Sequence, residues 1–419
     1  MGDVEAWSTA RSAQRLALYV AFIACSLFWF RNASGDDLSS SYIGCRLLAN
    51  GSSDHLYDFH PTLFHVVDTA AWISTAASAH FTGFLHPYVQ TPLWAWVLLP
   101  LCTNLTFGGF SIVFLVIALL SLAVAVEVVA RAWAGSFLRP LPLAVLLIAI
   151  AMSTPFRYAM SLVQTHALFL MLAVLALHLA QRDRAVPAGA LLALACAVKI
   201  TPGLLVVYWL AGGRYRAALW FVVCSVILAA LTVAAVGTDL TLAYVQSMRR
   251  VSNVLLVSYN NQSLAAWLAY SDSMSSELDN WRMLPLTPAL KAASLVASIA
   301  GVAFSGWMSR RNEWAGASAA LALVVITVFS PIAWTHYFLS VIPAVMILTN
   351  VGGLLSLAVA IPVFLLNTPL LAIDPTGPQL GPMVVLRSHF FSAMILMAVL
   401  ILRYVGSKPT LASSGKDPP

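Results

Sequence analysis

Long apolar runs separated by short polar stretches organise this chain from end to end. After a polar start, runs fall at 17–30, 91–103, 109–130, 138–152, 164–180, 187–211, 217–236, 288–307, 316–333, 337–349, 351–367 and 389–405. Each is apolar all round and lacks the alternation of a half-buried strand or a lipid-facing barrel strand, so bilayer-crossing helices are predicted. Two stretches break the rhythm. Residues 31–90 and 237–287 are too long to be mere connectors, and segments of that length usually carry function. Within the first, the semi-polar stretch 63–78, with Phe64, Val67, Trp72 and Ile73, predicts short helices lying on the membrane surface.

Composition sharpens this picture. The chain has 419 residues, of which 60% are hydrophobic and 9% charged, whereas a soluble domain carries about 25% charged residues. That deficit excludes a water-soluble globule, a disordered chain and a nucleic-acid reader. The net charge of +6 changes nothing, because no basic stripe with interleaved aromatics accompanies it. At roughly 20 residues per crossing, the length allows on the order of 10–13 spans. The expected fold class is an all-α polytopic membrane protein, with residues 1–419 forming one membrane domain. The first run continues into Arg31 and Asn32 without a small-residue cleavage pattern, so it reads as a retained span. Cys25, Cys102, Cys196 and Cys224 lie in apolar runs and Cys45 in a polar one; no pair has metal-ligand spacing, and neither a disulfide framework nor a zinc site is expected.

Charge asymmetry orients the spans. Arg11 and Arg15 precede the first run, whereas Asp36, Asp37, Asp54, Asp58 and Asp68 follow it. Together with Arg214, Arg216, Arg310, Arg311, Arg403, Lys408 and Lys416, this places the N-terminus in the cytoplasm. Residues 31–90, 237–287 and 368–388 then share the outer face. Region 91–212 admits two threadings. In one, each run is a single span. In the other, 91–103 is re-entrant and 187–211 breaks at Lys199–Pro202 into two short halves; this places Arg131, Arg139, Arg182 and Arg184 inside, but needs half-spans shorter than a bilayer normally asks.

Candidate chemistry sits where polar groups interrupt these runs. Asp36 and Asp37 stand at the outer end of the first span, where low dielectric can make a carboxylate a competent base, against the plainer reading of a solvated helix end. Lys199 lies inside an apolar run beside helix-breaking Pro202; such a lysine is costly unless paired or facing a cavity, although snorkelling is the competing account. Gln164, Thr165 and His166 interrupt another run, where helix–helix hydrogen bonding is an adequate explanation. Asn260, Asn261, Gln262 and Ser263 form an amide-rich cluster in the second outer segment, and amides both donate to and accept from sugar hydroxyls. Trp334, His336 and Tyr337 follow Ser330-Pro331 at another outer end; the aromatics suit a membrane belt, and His336 suits an anionic phosphate or a proton. The histidines at 55, 60, 65, 80 and 86 are too widely spaced for a compact metal motif.

Taken in order, these motifs resemble the bacterial membrane glycosyltransferase family 87 of the GT-C superfamily, which includes polyprenol-phosphate-mannose-dependent mannosyltransferases. The family's opening aspartate and following aromatic match Asp37 and Tyr42, with Gly51 and Tyr57-Asp58 beyond. Its Lys-x-x-Pro is intact at Lys199 and Pro202, and its Asn-Gln-Ser-Leu at Asn261–Leu264. Its Ser-Pro-x-Ser-Trp-x-His is matched at Ser330, Pro331, Trp334 and His336, with Ala333 replacing serine. Two motifs depart. Tyr-Pro-Pro reads Leu85-His86-Pro87-Tyr88, and Gly-Gln-x-Asn reads Val163-Gln164-Thr165-His166.

The resemblance implies a GT-C fold of roughly 12 transmembrane helices, with both large outer segments periplasmic. It implies an inverting hexosyltransferase of the bacterial inner membrane, working on the periplasmic face. The donor would be a polyprenyl-phosphate sugar, mannose first among the candidates, and the acceptor a hydroxyl of a glycolipid or surface polysaccharide. Asp37 is then the expected base, with Asp36 as the substitute. Lys199, His336 and His86 are expected at the donor phosphate. Tyr42, Gln164, Asn261, Gln262, Ser263 and Trp334 are expected at the sugar or acceptor. No metal or other cofactor is expected, because such groups stabilise a monophosphate leaving group unaided. An oligosaccharide ligase using a lipid diphosphate and a lipid or sugar transporter are the alternatives.

Overall fold

The computed structural model of the chain describes residues 2–60, 63, 66–258, 260–269, 282–350, 359–366 and 388–407. Phe64, His65, Tyr259, residues 368–387 and the tail lysines Lys408 and Lys416 lie outside the described residues. Among the described residues, six helices are long and apolar enough to cross a membrane, and a seventh crossing results if one bent pair counts as a span. The six are α1 (Gly2–Phe30, apolar from Arg11), α6 (Phe107–Ala132), α12 (Tyr215–Val251), α14 (Pro288–Met308), α15 (Ala315–Phe329, with the short turn before it) and α18 (Ser388–Gly406). The bent pair is α7 (Pro140–Met152) with α8 (Thr154–Ser161), which meet at 62°. A protein of the membrane is what this composition and helix content describe.

Between the long helices run shorter apolar ones: α9 (His166–Gln181), α10 (Ala185–Val198), α11 (Leu205–Ala211) after a 3₁₀ turn, and α16 (Ile342–Asn350) after another. Their contacts define two ends of the bundle. Arg15 of α1 pairs with Glu127 of α6 at 2.8 Å, while Gly35, just past the other end of α1, packs against Ser111 near the start of α6. The two helices are therefore antiparallel. Gln181 bonds Trp133 and the Ala315 carbonyl, Arg214 pairs with Asp183, and Arg310 donates to the Ala211 carbonyl, all at the Arg15 end. At the Gly35 end, the Gly35 amide donates to Ser161 and Gln164 reaches Asp37.

These contacts select the second threading. The pair α4 (Pro92–Val97) and α5 (Leu99–Asn104) begins and finishes at the Gly35 end, since the Thr91 hydroxyl bonds Ala197 and the Leu105 carbonyl accepts from Tyr42. It is a re-entrant turn. The run 187–211 breaks at Lys199, which leaves the helix with φ −156° and ψ 123°, and Pro202 opens the next turn. Proline has no amide to continue the helix and restrains the residue before it.

Burial separates lipid-facing from central helices. Only 6% of the most apolar window of α12 is buried, with Leu219, Val222, Val226 and Leu231 all exposed, whereas 72% of that of α15 is buried. Exposed leucine and valine on this scale need a hydrocarbon solvent. At Gly237, φ 85° and ψ 169° separate the crossing part of α12 from residues 238–251, whose Tyr244 meets Tyr57 and whose Arg250 lies over Phe59.

The outer segments hold more structure than the sequence announces. Surface helix α3 (Ala70–Ser78) lies in the stretch expected to form one. Helix α2 (Asp36–Ala49) was not signalled; it buries Leu38, Tyr42, Ile43 and Leu47 although its sequence is only weakly apolar. In the second segment, β1 (Val254–Val257) and β2 (Arg282–Pro285) pair antiparallel, a small departure from an all-α chain. The cysteine expectation is corrected: Cys45 of α2 and Cys102 of α5 form a disulfide, Cα atoms 6.3 Å apart and both side chains fully buried. Their separation of 57 residues, one in a polar and one in an apolar stretch, has no recognisable spacing.

Candidate active site

The site grows from the first turn of α2. Gly35 precedes it with φ +62°, a conformation L side chains rarely adopt, and a Cβ there would meet Ser111 Oγ at 3.2 Å and Phe107 at 3.3 Å. Asp36 and Asp37 follow at once, both at the positive end of the α2 dipole. Asp36 accepts from the Ser34 hydroxyl at 3.0 Å. Asp37 faces inward. Its Oδ2 accepts from the Gln164 amide, and its Oδ1 lies 3.6 Å from His86 Nε2. Burial pushes the Asp37 carboxyl above the ordinary carboxylate value; His86, the Gln164 hydrogen bond and Lys199 pull it back, while neighbouring Asp36 adds to the rise.

Below Asp37 lies a cluster of rings and a cation. Lys199 Nζ sits 3.3 Å from the centroid of Tyr337. On Tyr337, His166 stacks almost parallel at 5.0 Å, its Nε2 within 2.8 Å of Ser340 Oγ. His336 packs edge-on to Tyr337 at 4.8 Å between centroids and is 2% exposed. Among the described residues, neither ring nitrogen of His336 has a hydrogen-bond partner. A buried imidazole in that state is poised for a polar group brought by a substrate.

The two downstream motifs dock on one another. The Gln262 amide donates to Ala333 at 2.7 Å, the Thr335 amide to Asn260 at 3.0 Å, and Asn261 bridges to Trp334. Asn261 is fully buried; its Nδ2 donates to Leu256 and its Oδ1 accepts from Ala333. Ser263 donates to Pro331 and accepts from Ala266, capping the short helix α13 (Leu264–Ala269). The Asn-Gln-Ser-Leu segment thereby fixes the turn that carries Trp334, His336 and Tyr337.

The structure thus brings together Asp37, Gln164, His86, Lys199 and His336, with Asp36 beside them. Gln262 is fully buried and Trp334 half-buried at the docking seam. Tyr42 lies apart from the cluster: fully buried, it packs against Phe107 and Phe110 and donates to the Leu105 carbonyl, holding α2 on α6. His166, Tyr337 and Ser340 join the site without having been assigned a role from sequence. The signal for His166 and Tyr337 was their place beside Gln164 and His336 in otherwise apolar runs; Ser340 carried none.

A base-capable carboxylate, a cation and an unpaired imidazole at one end of an apolar bundle suit chemistry on a substrate that is part lipid and part polar. Comparison with known sequences agrees. The model of glycosyltransferase family 87 matches residues 88–331, more than half of the chain. Gln164, Lys199 and Asn261–Ser263 fall inside that match; Asp36, Asp37 and His86 precede it, and Trp334 and His336 follow it. No curated protein matches significantly. The chain belongs to glycosyltransferase family 87, and is a membrane glycosyltransferase.

Proposed function

We propose that the enzyme moves a hexose, mannose first among the candidates, from a polyprenyl-phosphate donor to an acceptor hydroxyl on a glycolipid or surface polysaccharide. The observation that carries this is the meeting of Asp37, Lys199 and His336 at one end of the bundle, where two helices break. Asp37 removes the acceptor's proton as its oxygen bonds to the anomeric carbon. The bond to the donor phosphate breaks on the opposite side, its electron pair leaving with the phosphate. A single displacement of this kind inverts the anomeric centre. Lys199 and His336 stabilise the departing phosphate, a charged leaving group for which positioned donors in a dry site are most effective. This chemistry asks no metal of the protein. Gln262 and Trp334 are assigned to the sugar or acceptor, with Asn261 and Ser263 holding them in place.

Two further features support the reading. A small apolar recess lined by Ile150, Pro155, Phe338 and Leu366 lies beside the turn that carries His336, with room for a few methylene groups of a hydrocarbon tail. Arg15, Arg131, Arg214, Arg310 and Arg311 gather at the far end, which by the positive-inside rule is cytoplasmic. The catalytic end then faces the periplasm of a bacterial inner membrane, in a GT-C arrangement. The test is transfer by purified enzyme in lipid nanodiscs, offered a polyprenyl-phosphate hexose or a lipid-diphosphate sugar together with total membrane lipid as acceptor, with products read by mass spectrometry. Transfer only from the monophosphate donor is expected. Transfer only from the diphosphate would make the enzyme an oligosaccharide ligase, and donor flipping without transfer would make it a transporter.

A further inference from the structure

Asp37 is held by two neighbours of unlike chemistry. On Oδ2, the Gln164 amide donates a hydrogen bond but cannot take a proton. On Oδ1, 3.6 Å away, stands His86 Nε2, on a side chain that is 20% exposed. Imidazole is the side chain that both takes and gives a proton near neutral pH. The loop carrying His86 is pinned over α2: Ser39 Oγ donates to the Phe84 carbonyl at 2.8 Å, and the Val67 amide to the Leu85 carbonyl at 3.0 Å. Beyond His86, Tyr88 is buried and bonds the Thr91 carbonyl at 2.7 Å. Lys199 approaches Asp37 from below, Asp36 adjoins it on α2, and Tyr337 faces it from the turn that carries His336.

We propose that His86 acts through Asp37 as a positioning and relay residue, receiving the acceptor's proton from the Asp37 carboxyl and passing it to water. This rests on the glycosyl-transfer reading above and adds to it the path by which the base is reset. In the transfer step the acceptor O–H proton goes to Asp37 Oδ1, the acceptor oxygen bonds to the anomeric carbon, and the phosphate leaves with the electron pair of the broken bond. In the reset step the proton moves from Asp37 to the His86 imidazole and from there to solvent, leaving the carboxylate ready. The net products are the glycoside, the polyprenyl phosphate dianion and one proton. The 3.6 Å gap is longer than a hydrogen bond, and such gaps commonly tighten when substrate binds.

The experiment compares His86→Gln, His86→Ala and Asp37→Asn in nanodiscs, measuring kcat, KM for the donor, binding of polyprenyl phosphate, and pH profiles. His86→Gln is expected to lower kcat about tenfold or more with donor KM and product binding unchanged, and to alter the acid limb of the profile. Added imidazole is expected to restore His86→Ala, and unchanged product binding shows that each variant is folded. Wild-type kcat and pH profile in His86→Gln would overturn the relay. Loss of polyprenyl-phosphate binding with kcat intact at saturating donor would also overturn it, making His86 a phosphate contact. Full activity in Asp37→Asn would instead bring down the transfer mechanism itself, a result distinct from failure at His86.

Discussion

The ammonium of Lys199 rests against the face of Tyr337, 3.3 Å from the ring centroid. A lysine that ends a broken helix thereby meets the residue that follows His336, and the two come from opposite halves of the chain. Cation–π contact of this kind orients the charge while leaving its other donors available.

The contact predicts a graded response at Tyr337. Tyr337→Phe keeps the ring and should bind polyprenyl phosphate within about threefold of wild type, because a desolvated cation–π contact is worth about 2 kcal/mol and is retained. Tyr337→Leu should weaken binding about tenfold or more, approaching Lys199→Ala. His336→Ala should weaken it as well. Titration with the product lipid, followed by tryptophan fluorescence, measures all four variants. Undiminished binding in both Lys199→Ala and His336→Ala would remove the phosphate assignment.

Asp37→Asn should lower turnover by about 10²–10⁴, the usual worth of a positioned base, while the protein inserts normally. Asp36→Asn should spare most of the activity and shift its pH dependence. Asp36 raises the Asp37 carboxyl, so removing its charge lets Asp37 ionise at lower pH. The acid limb of the rate profile should accordingly move to lower pH. A loss confined to Asp36→Asn would exchange the roles of the two carboxylates.

Topology is open to direct labelling. In a background with Cys25, Cys196 and Cys224 replaced, Asp36→Cys should react with an impermeant thiol reagent applied to intact cells, whereas Arg311→Cys should react only after permeabilisation. Labelling of Arg311→Cys from outside would reverse the assigned orientation.

Close helix approach predicts a stability effect far from the site. A Cβ on Gly306 of α14 would collide with the Tyr208 carbonyl oxygen of α11, which is backbone and cannot rotate away. Gly306→Ala should destabilise by about 1–3 kcal/mol, the range of overpacking. A thermal shift in detergent measures it, with Gly108→Ala, where a Cβ meets nothing within 4 Å, as the control.

Sequence pattern exposed the parts of this molecule that break a rule of membrane chemistry. Lys199, Gln164 and His336 were legible because polar groups in apolar runs demand partners, and the structure gathers all three near Asp37. Threading between 91 and 212 was not legible, because half-spans and full spans obey the same hydropathy and only contacts such as Arg15–Glu127 distinguish them. Helix α2 escaped notice because its partners are other outer segments, so its buried face need not be strongly apolar. His86 gave no sign of its nearness to Asp37, since 48 residues of chain intervene. Asn261 was legible as important, yet its hydrogen bonds go to Leu256 and Ala333, a use that a loop amide does not advertise.

The bond between Cys45 and Cys102 ties α2, the helix that carries Asp37, to the re-entrant turn that follows it. Two thiols join only where an oxidant takes their electrons, which is seldom the case in a bacterial cytosol. Assembly of the catalytic end is therefore coupled to delivery: α2 and the turn around α5 must both have reached an oxidising compartment before the covalent tie can close. A copy that stalls during insertion keeps free thiols at both positions, and its base-bearing helix is held by packing alone. The linkage acts as a molecular receipt of arrival, coupling maturation of the transferase to its passage into an oxidising compartment.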